Sequence, residues 1–325
     1  ISDQLHINKE KIEIAASVTK SDLKSDLVGE YPELQGVMGK YFALAQGFEE
    51  DVANAISDHY LPTGLLSPVP KKPLSYAISI IDRLDSLVGF FLINEKPTSS
   101  KDPFALRRAA IGLLRIVIEN NLELRLKDLI SYAVGLYSDQ GVEIENKEAE
   151  KEILDFLKER MRNILKEKKI KPDIVEAAIS SHVGDNYLVL YKKSLVMNKN
   201  FNKEIGKNAI YSFKRVSSIL DHESKKTTKE LTGRPDAVLF RKDEEKFLFD
   251  KLNEIRKSFT VKEDRKDYEE LLAKLAAVKE STDNFFENVV VNDDNQDIKN
   301  NRLELMFMFC KTFNAYIDFS KLEGI

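Results

Sequence analysis

Apolar side chains recur every three to four residues along most of the chain, and this spacing constrains the fold more than any other feature of the sequence. Near the end of the chain the repeat is clearest, at Leu303, Met306, Cys310, Phe313 and Ile317. Such a repeat places its members on one face of an α-helix. A similar repeat precedes it over 268–275, and the most plausible extended piece is the short run 187–190. The predicted fold class is therefore all-α.

Length and composition narrow the class of protein. The chain has 325 residues, which favours two domains with a possible connecting module. With 42% hydrophobic and 32% charged residues it resembles neither a disordered chain nor an integral membrane protein. Its single cysteine, Cys310, excludes an intrachain disulfide and a cysteine-based zinc site, and suits a reducing cytoplasm. Because the sequence opens at Ile1 without methionine or a signal-like segment, we expect a piece of a longer polypeptide.

Local signals predict where several helices begin and end. Asp102 followed by Pro103 is typical of a helix start, with the aspartate as N-cap and the proline as first helical residue. The apolar positions that follow share one helical face: Leu106, Ala110, Leu113 and Val117. The apolar repeat lapses over 140–146, and the stretch 148–171 resumes as a charged helix.

Charge is unevenly distributed along this chain of net charge −4. The stretch 192–229 contains ten basic and three acidic residues, a net of +7, whereas 236–325 contains fifteen basic and twenty acidic residues, a net of −5. A basic stretch of this kind can bind a polyanion, because each phosphate it neutralises releases counterions. It can equally be the solvated face of a helix.

The residues offer little obvious catalytic chemistry. The segment 36–40 ends like a phosphate-binding loop but lacks the required earlier glycine and the hydroxyl residue after the lysine. His59 and Asp82 lie in segments predicted to be neighbouring helices, where they could together bind a divalent metal. The alternative is that His59 is an ordinary hydrogen-bonded histidine and that Asp82 belongs to a solvated helix face.

Several long motifs carry a family resemblance. They are VGEYPELQGVMG at 28–39, DHYLP at 58–62, DRLDSLVG at 82–89, KPTSSKDPFALRRA at 96–109, KRVSSIL at 214–220, FFENVVV at 285–291 and NRL at 301–303. In this order the motifs resemble the β subunit of the bacterial heterotetrameric glycyl-tRNA synthetase, over the C-terminal half of that subunit. Ser99 stands where the family pattern has glycine.

The resemblance implies an HD-type helical domain over 1–125, a helical connecting region over 126–180, and a helical-bundle anticodon-binding domain over 181–325 similar to that of arginyl-tRNA synthetase. It implies that the α subunit makes the glycyl-adenylate, so that ATP and magnesium bind there and this chain holds no cofactor. The implied partners are the α subunit and glycine tRNA, in a cytoplasmic α2β2 heterotetramer without membrane contact.

The resemblance also bears on individual residues. An HD hydrolase holds its metal with a histidine, a His-Asp doublet and a distal aspartate, and in this chain the segment 33–36 occupies the position of the doublet. Only His59 and Asp82 resemble surviving metal ligands. We therefore predict no catalytic residue and no metal in this chain. The candidate tRNA contacts are basic residues next to a helix start or an aromatic residue: Lys96, Lys101, Arg107, Arg108, Lys214, Arg215 and Arg302. Two alternatives stay open at this point, an HD-type metal-dependent phosphohydrolase and a helical scaffold that only assembles the α subunit.

Overall fold

The computed structural model describes residues 1–64, 66–181, 186–225, 230–260 and 267–323. Within these residues the chain forms fifteen α-helices joined by loops and short 3-10 turns, without a β-strand, which confirms the all-α prediction. No helix in this part of the chain combines the length and the apolar character needed to cross a lipid bilayer.

The helices divide between two compact units. The first unit comprises Ile1–Ile164 and Gly184–Leu188, and the second unit comprises Leu165–Val183 and Val189–Ile325. The bounds of the first nine helices are α1 Ser2–Leu5, α2 Lys9–Val18, α3 Asp26–Glu30, α4 Val37–Ala45, α5 Glu50–Asp58, α6 Pro73–Leu92, α7 Leu106–Glu119, α8 Leu126–Asp139 and α9 Ala149–Glu167. The remaining six are α10 Pro172–Ser181, α11 Tyr187–Asn200, α12 Glu204–Ser224, α13 Asp243–Ser258, α14 Tyr268–Asn288 and α15 Gln296–Asn314.

The segment that follows residue 125 contacts the first unit, and the expected domain boundaries at 125 and 180 stay a prediction. Helix α8 contacts α6, with Leu126 and Ile130 fully buried. The Tyr137 hydroxyl donates to the Asp85 carboxylate at 2.9 Å, and the backbone N–H groups of Glu145 and Asn146 donate to the Leu92 carbonyl. These contacts join the start of the expected connecting region to the first unit. Along the chain, the first change from one compact unit to the other falls within α9.

Helix α6 is the centre of the first unit. Twelve of its twenty residues are buried, and α5, α7 and α8 all pack against it. The predicted apolar face of α7 is confirmed, since all four of its members are at most 1% exposed. The predicted start of α7 is wrong by three residues, because Ala105 adopts a left-handed conformation and Leu106 is the first helical residue. Asp102 still caps the helix, accepting from the backbone N–H groups of Leu106 at 2.8 Å and Arg107 at 3.0 Å.

The second unit is a bundle in which α12 packs against α14 and α15, and α13 packs against α14 and α15. The predicted C-terminal repeat is buried, four members within α15 and Ile317 just after it. Aromatic rings of Phe213, Phe309, Phe313 and Phe319 meet in its core. The run 187–190 is helical rather than extended, because its buried side chains continue at helical spacing to Ser194 and Met197 in α11.

Candidate nucleic-acid interface

The outer face of α12 is cationic and carries one exposed aromatic ring. Lys207, Tyr211 and Lys214 follow one another at spacings of four and three residues, so they share this face. Tyr211 is 50% exposed. Within the described residues, the ammonium groups of Lys207 and Lys214 contact no carboxylate, so both remain available to a ligand phosphate.

Helix α14 lies beside this face and contributes one further cation, Lys279, and a second ring, Phe286. The Lys279 ammonium lies 5.1 Å from the centre of the Tyr211 ring, and the Arg215 guanidinium lies 4.9 Å from the centre of the Phe286 ring. Each cation–π contact stabilises the arrangement by about 0.5–1 kcal/mol at an exposed site. The two aromatic rings are therefore held in place by cations on the neighbouring helix.

Asp283 links the two cations. Its carboxylate accepts from Arg215 Nη1 and from Lys279 Nζ, each at 2.5 Å. The hydrogen bond to Asp283 raises the pKa of Lys279 above its ordinary value, so this lysine is charged throughout the physiological range. We call the set Lys207, Tyr211, Lys214, Arg215, Lys279, Asp283 and Phe286 the α12/α14 face.

This arrangement suits single-stranded nucleic acid. A base can stack on an exposed aromatic ring, and cations beside it can neutralise the adjoining phosphates. Phe213 takes no part, because it is buried in the core against Phe313 and Phe319. Of the basic stretch 192–229, residues 226–229 lie outside the described part of the chain, and Lys199 is engaged by Glu269 at 2.9 Å.

The sequence pointed to Lys214 and Arg215 but did not identify Lys279, Asp283 and Phe286 as residues that lie beside them. Those three residues recur at spacings of four and three along α14, which is a helical face that can be seen in the sequence. Nothing in the sequence says that this face of α14 lies beside Tyr211 and Arg215 of α12. That adjacency comes only from the packing of the bundle.

Four of the predicted contacts lie in the loop before α7 or in the first turn of α7, and their side chains differ in exposure and in hydrogen-bonding partners. Lys96 pairs with Glu152 at 2.9 Å, and Arg107 donates to the Thr98 carbonyl and lies 4.0 Å from Asp102. Both side chains therefore tie the loop to its surroundings. The side chains of Lys101 and Arg108 are exposed and contact no hydrogen-bonding or ionic partner in the described residues.

Arg302 is buried and engaged by carboxylates. Its side chain is 5% exposed, and it donates to Glu245 at 2.8 Å, to Asp293 at 2.7 Å and to the Val290 carbonyl at 2.8 Å. Its carboxylate partners are therefore Glu245 in α13 and Asp293 in the segment between α14 and α15. Because the Arg302 guanidinium is buried and already donates to these three acceptors, it is not available to RNA. We therefore leave Arg302 out of the candidate interface.

Among the described residues, His59 and Asp82 belong to no group of three side chains that could hold a metal ion. His59 is fully buried, and its Nδ1–H donates to the Ile56 carbonyl at 2.6 Å. Burial lowers the pKa of His59, which favours the neutral ring. The Asp82 carboxylate instead accepts from Lys20. In the described part of the chain no three His, Cys, Asp or Glu side chains are placed to hold a metal ion, so the residues do not fit a catalytic HD centre.

Comparison with known proteins gives two family matches. Residues 1–180 match the family model for the glycyl-tRNA synthetase beta subunit, and residues 209–319 match the DALR anticodon binding domain. All members of the α12/α14 face except Lys207 lie within the second match.

Similar curated proteins are also glycine–tRNA ligase beta subunits. The one from Ruegeria sp. (strain TM1040) is 35% identical over 312 residues, 96% of this chain and 44% of the relative. The one from Rickettsia canadensis is 38% identical over 315 residues, 97% of this chain and 45% of the relative. The one from Paracoccus denitrificans is 34% identical over 315 residues, with coverages of 97% and 44%. The chain thus spans less than half the length of these relatives.

Proposed function

The chain belongs to the glycyl-tRNA synthetase beta-subunit family, and from this premise we propose that it is the tRNA-recognition portion of such a subunit. In this proposal the second unit binds the anticodon arm of a glycine tRNA through the α12/α14 face. The reaction that it serves is the ATP-dependent attachment of glycine to that tRNA.

The observation that carries the proposal is the pairing of aromatic rings with cations on the α12/α14 face. Tyr211 is half exposed beneath Lys279, and Lys207 and Lys214 flank it without carboxylate partners among the described residues. Unpaired bases of a loop stack on such rings, whereas a duplex offers mainly its backbone. All members of the face except Lys207 lie in the segment matched by the DALR anticodon binding domain, which adds support from an independent source.

The proposal assigns the chemistry to a separate α subunit. ATP, magnesium and glycine bind there, this chain supplies no cofactor site, and the two kinds of subunit form a cytoplasmic α2β2 assembly. Arg108 and Lys101, which are exposed beside the start of α7, are the better candidates for contact with another part of the tRNA than Lys96 or Arg107.

The test is binding of the chain to a glycine tRNA and to the same tRNA with its anticodon replaced. Tyr211→Ala should weaken binding to the first tRNA by roughly 1–3 kcal/mol, because a stacking surface is lost, and should remove the preference for the glycine anticodon. Lys214→Ala should weaken binding to both tRNAs and reduce the slope of log affinity against log salt concentration by about one. Lys246→Ala removes an exposed lysine from α13, outside the face, and serves as the matched control.

Two results would contradict the proposal. If wild type binds both tRNAs equally and Tyr211→Ala changes neither affinity, the α12/α14 face does not read an anticodon. If the double variant Lys214→Ala/Arg215→Ala leaves the salt slope unchanged, the face is only a solvated surface.

The phosphohydrolase alternative finds no support in the environment of His59 and Asp82. The scaffold alternative is separated from tRNA recognition by the same binding experiment, since a scaffold would bind the α subunit but not discriminate anticodons. Measuring α-subunit binding of the Tyr211→Ala variant completes the comparison, because only the tRNA affinity should fall.

A further inference from the structure

Helix α4 is almost entirely apolar. Its nine residues include a single charge, Lys40. The inner face is defined by Gly39 and Ala43, which are buried against α5. The approach at Gly39 is so close that a Cβ there would lie 2.7 Å from the Ile56 side chain. This face accounts for only one side of the helix.

The opposite side of α4 is also apolar, yet it is exposed. Val37, Tyr41 and Leu44 follow one another at spacings of four and three and are 46%, 59% and 39% exposed. Isolated apolar residues are normal on protein surfaces. An exposed apolar stripe along a whole helix is unusual, because a helix that is apolar on all sides is ordinarily covered on all sides.

Segments that precede α4 in the sequence carry further exposed apolar side chains. Leu23 in the turn Ser21–Lys24, Leu27 in α3 and Tyr31 just after α3 are also exposed, and that turn contacts both α3 and α4. Of the seventeen exposed large apolar residues in the described chain, seven lie within 14–44. We call Leu23, Leu27, Tyr31, Val37, Tyr41 and Leu44 the α4 patch.

The length of the relatives indicates what covers the patch. This chain spans 44–45% of their length, so more than half of each relative lies outside the matched stretch. A segment in the same polypeptide reaches a small surface at high effective concentration and needs little area to remain bound. A second copy of the chain has no such advantage, and α4 is only about 14 Å long, whereas a stable dimer buries roughly 800 Å² per partner.

We propose that the α4 patch is the docking surface for the part of a glycyl-tRNA synthetase β subunit that this chain does not span. The inference rests on family membership and not on tRNA recognition, so either can fail without the other. The occupant is a polypeptide surface with apolar side chains that fit over Val37, Tyr41 and Leu44.

Thiol labelling tests the proposal, because the chain contains one cysteine and that cysteine is buried. Burial raises the pKa of Cys310 to about 12, so it labels slowly. Tyr41→Cys places a reactive thiol in the patch. Phe247→Cys is the matched control, since Phe247 is 54% exposed on the charged helix α13.

Both variants are labelled with a maleimide, first in this chain and then in a full-length protein in which the unmatched part of the Rickettsia canadensis subunit is joined to it. In this chain the two thiols should react at similar rates. In the full-length protein Tyr41→Cys should react at least tenfold more slowly, while Phe247→Cys should not change. Equal rates for Tyr41→Cys in the two proteins would overturn the proposal.

Two further results would also overturn it. If Tyr41→Cys in this chain becomes protected as protein concentration rises, a second copy covers the patch. If protection appears only after the α subunit is added to the full-length protein, that subunit is the occupant. Should the joined protein fail to fold, hydroxyl-radical footprinting of the intact Rickettsia canadensis subunit gives the same comparison. The peptide aligned with α4 should be oxidised at least fivefold more slowly than in this chain, and the peptide aligned with α13 should not.

Discussion

Replacing Arg302 distinguishes a residue that stabilises the second unit from one that binds RNA. The Arg302 guanidinium and the Glu245 carboxylate form a pair that is 5% and 0% exposed. Arg302→Met leaves Glu245 Oε1 without its partner, while Oε2 still accepts from the backbone N–H groups of Arg241 and Lys242 at 2.7 and 2.8 Å. A buried charge that loses its partner costs about 3–5 kcal/mol. This loss is a large fraction of the 5–15 kcal/mol that typically stabilises a domain.

Hydrogen exchange of the α13 and α15 amides measures this free energy, because it reports the second unit separately from the first. The double variant Arg302→Met/Glu245→Gln is the matched control. Glutamine is neutral and retains an oxygen for the N–H groups of Arg241 and Lys242, so most of the lost stability should return. At a temperature where the protein is folded, Arg302→Met should change tRNA affinity less than twofold.

The opposite pattern would refute this reasoning. A loss of less than about 1 kcal/mol in Arg302→Met is incompatible with a buried, uncompensated carboxylate. If that small loss accompanied a tenfold fall in tRNA affinity, Arg302 would be an RNA contact, as the sequence allowed.

Further predictions concern the first unit and the activity of the chain. Burial lowers the pKa of His59, so below the ordinary histidine pKa of about 6.5 the unfolded chain binds a proton that the folded chain does not. The unfolding free energy should therefore fall as the pH is lowered below about 6.5, by up to about 1.4 kcal/mol per pH unit, and His59→Gln should reduce this slope in urea titrations. Gly112→Ala should destabilise the first unit by about 1–3 kcal/mol in the same assay, because the new Cβ would lie 2.6 Å from Arg83 Nε, whereas Gly135→Ala on α8 meets no atom within 4 Å and should be neutral or stabilising. The purified chain should catalyse no glycine-dependent exchange between pyrophosphate and ATP, and robust exchange would contradict the assignment of catalysis to the α subunit. It should also retain no stoichiometric divalent metal, and metal with phosphomonoesterase turnover that is lost in His59→Ala would revive the hydrolase alternative.

The apolar repeat predicted the helices well because it reflects a local requirement. Any helix that buries one face needs apolar residues every three to four positions, as in α7 and α15. The start of α7 was less predictable. Asp102 and Pro103 satisfy the usual preferences for a helix start, but the chain turns at Ala105 and the helix begins at Leu106. The Asp102 carboxylate accepts from the backbone N–H of Leu106, four residues later in the sequence. Several backbone paths can satisfy the same N–H groups, so the sequence does not choose among them.

The sequence by itself determined the all-α class, the buried faces of the major helices and the family motifs from which the function is inferred. The tertiary structure alone decided which polar groups meet: Arg302 with Glu245 and Asp293, Arg215 with Asp283, and Lys279 with Tyr211. It also decided that the outer side of α4 is uncovered in this chain. The physical reason is the range of the interactions. Helical periodicity depends on residues that are three or four positions apart in the sequence, whereas an ion pair between helices depends on how the whole bundle packs.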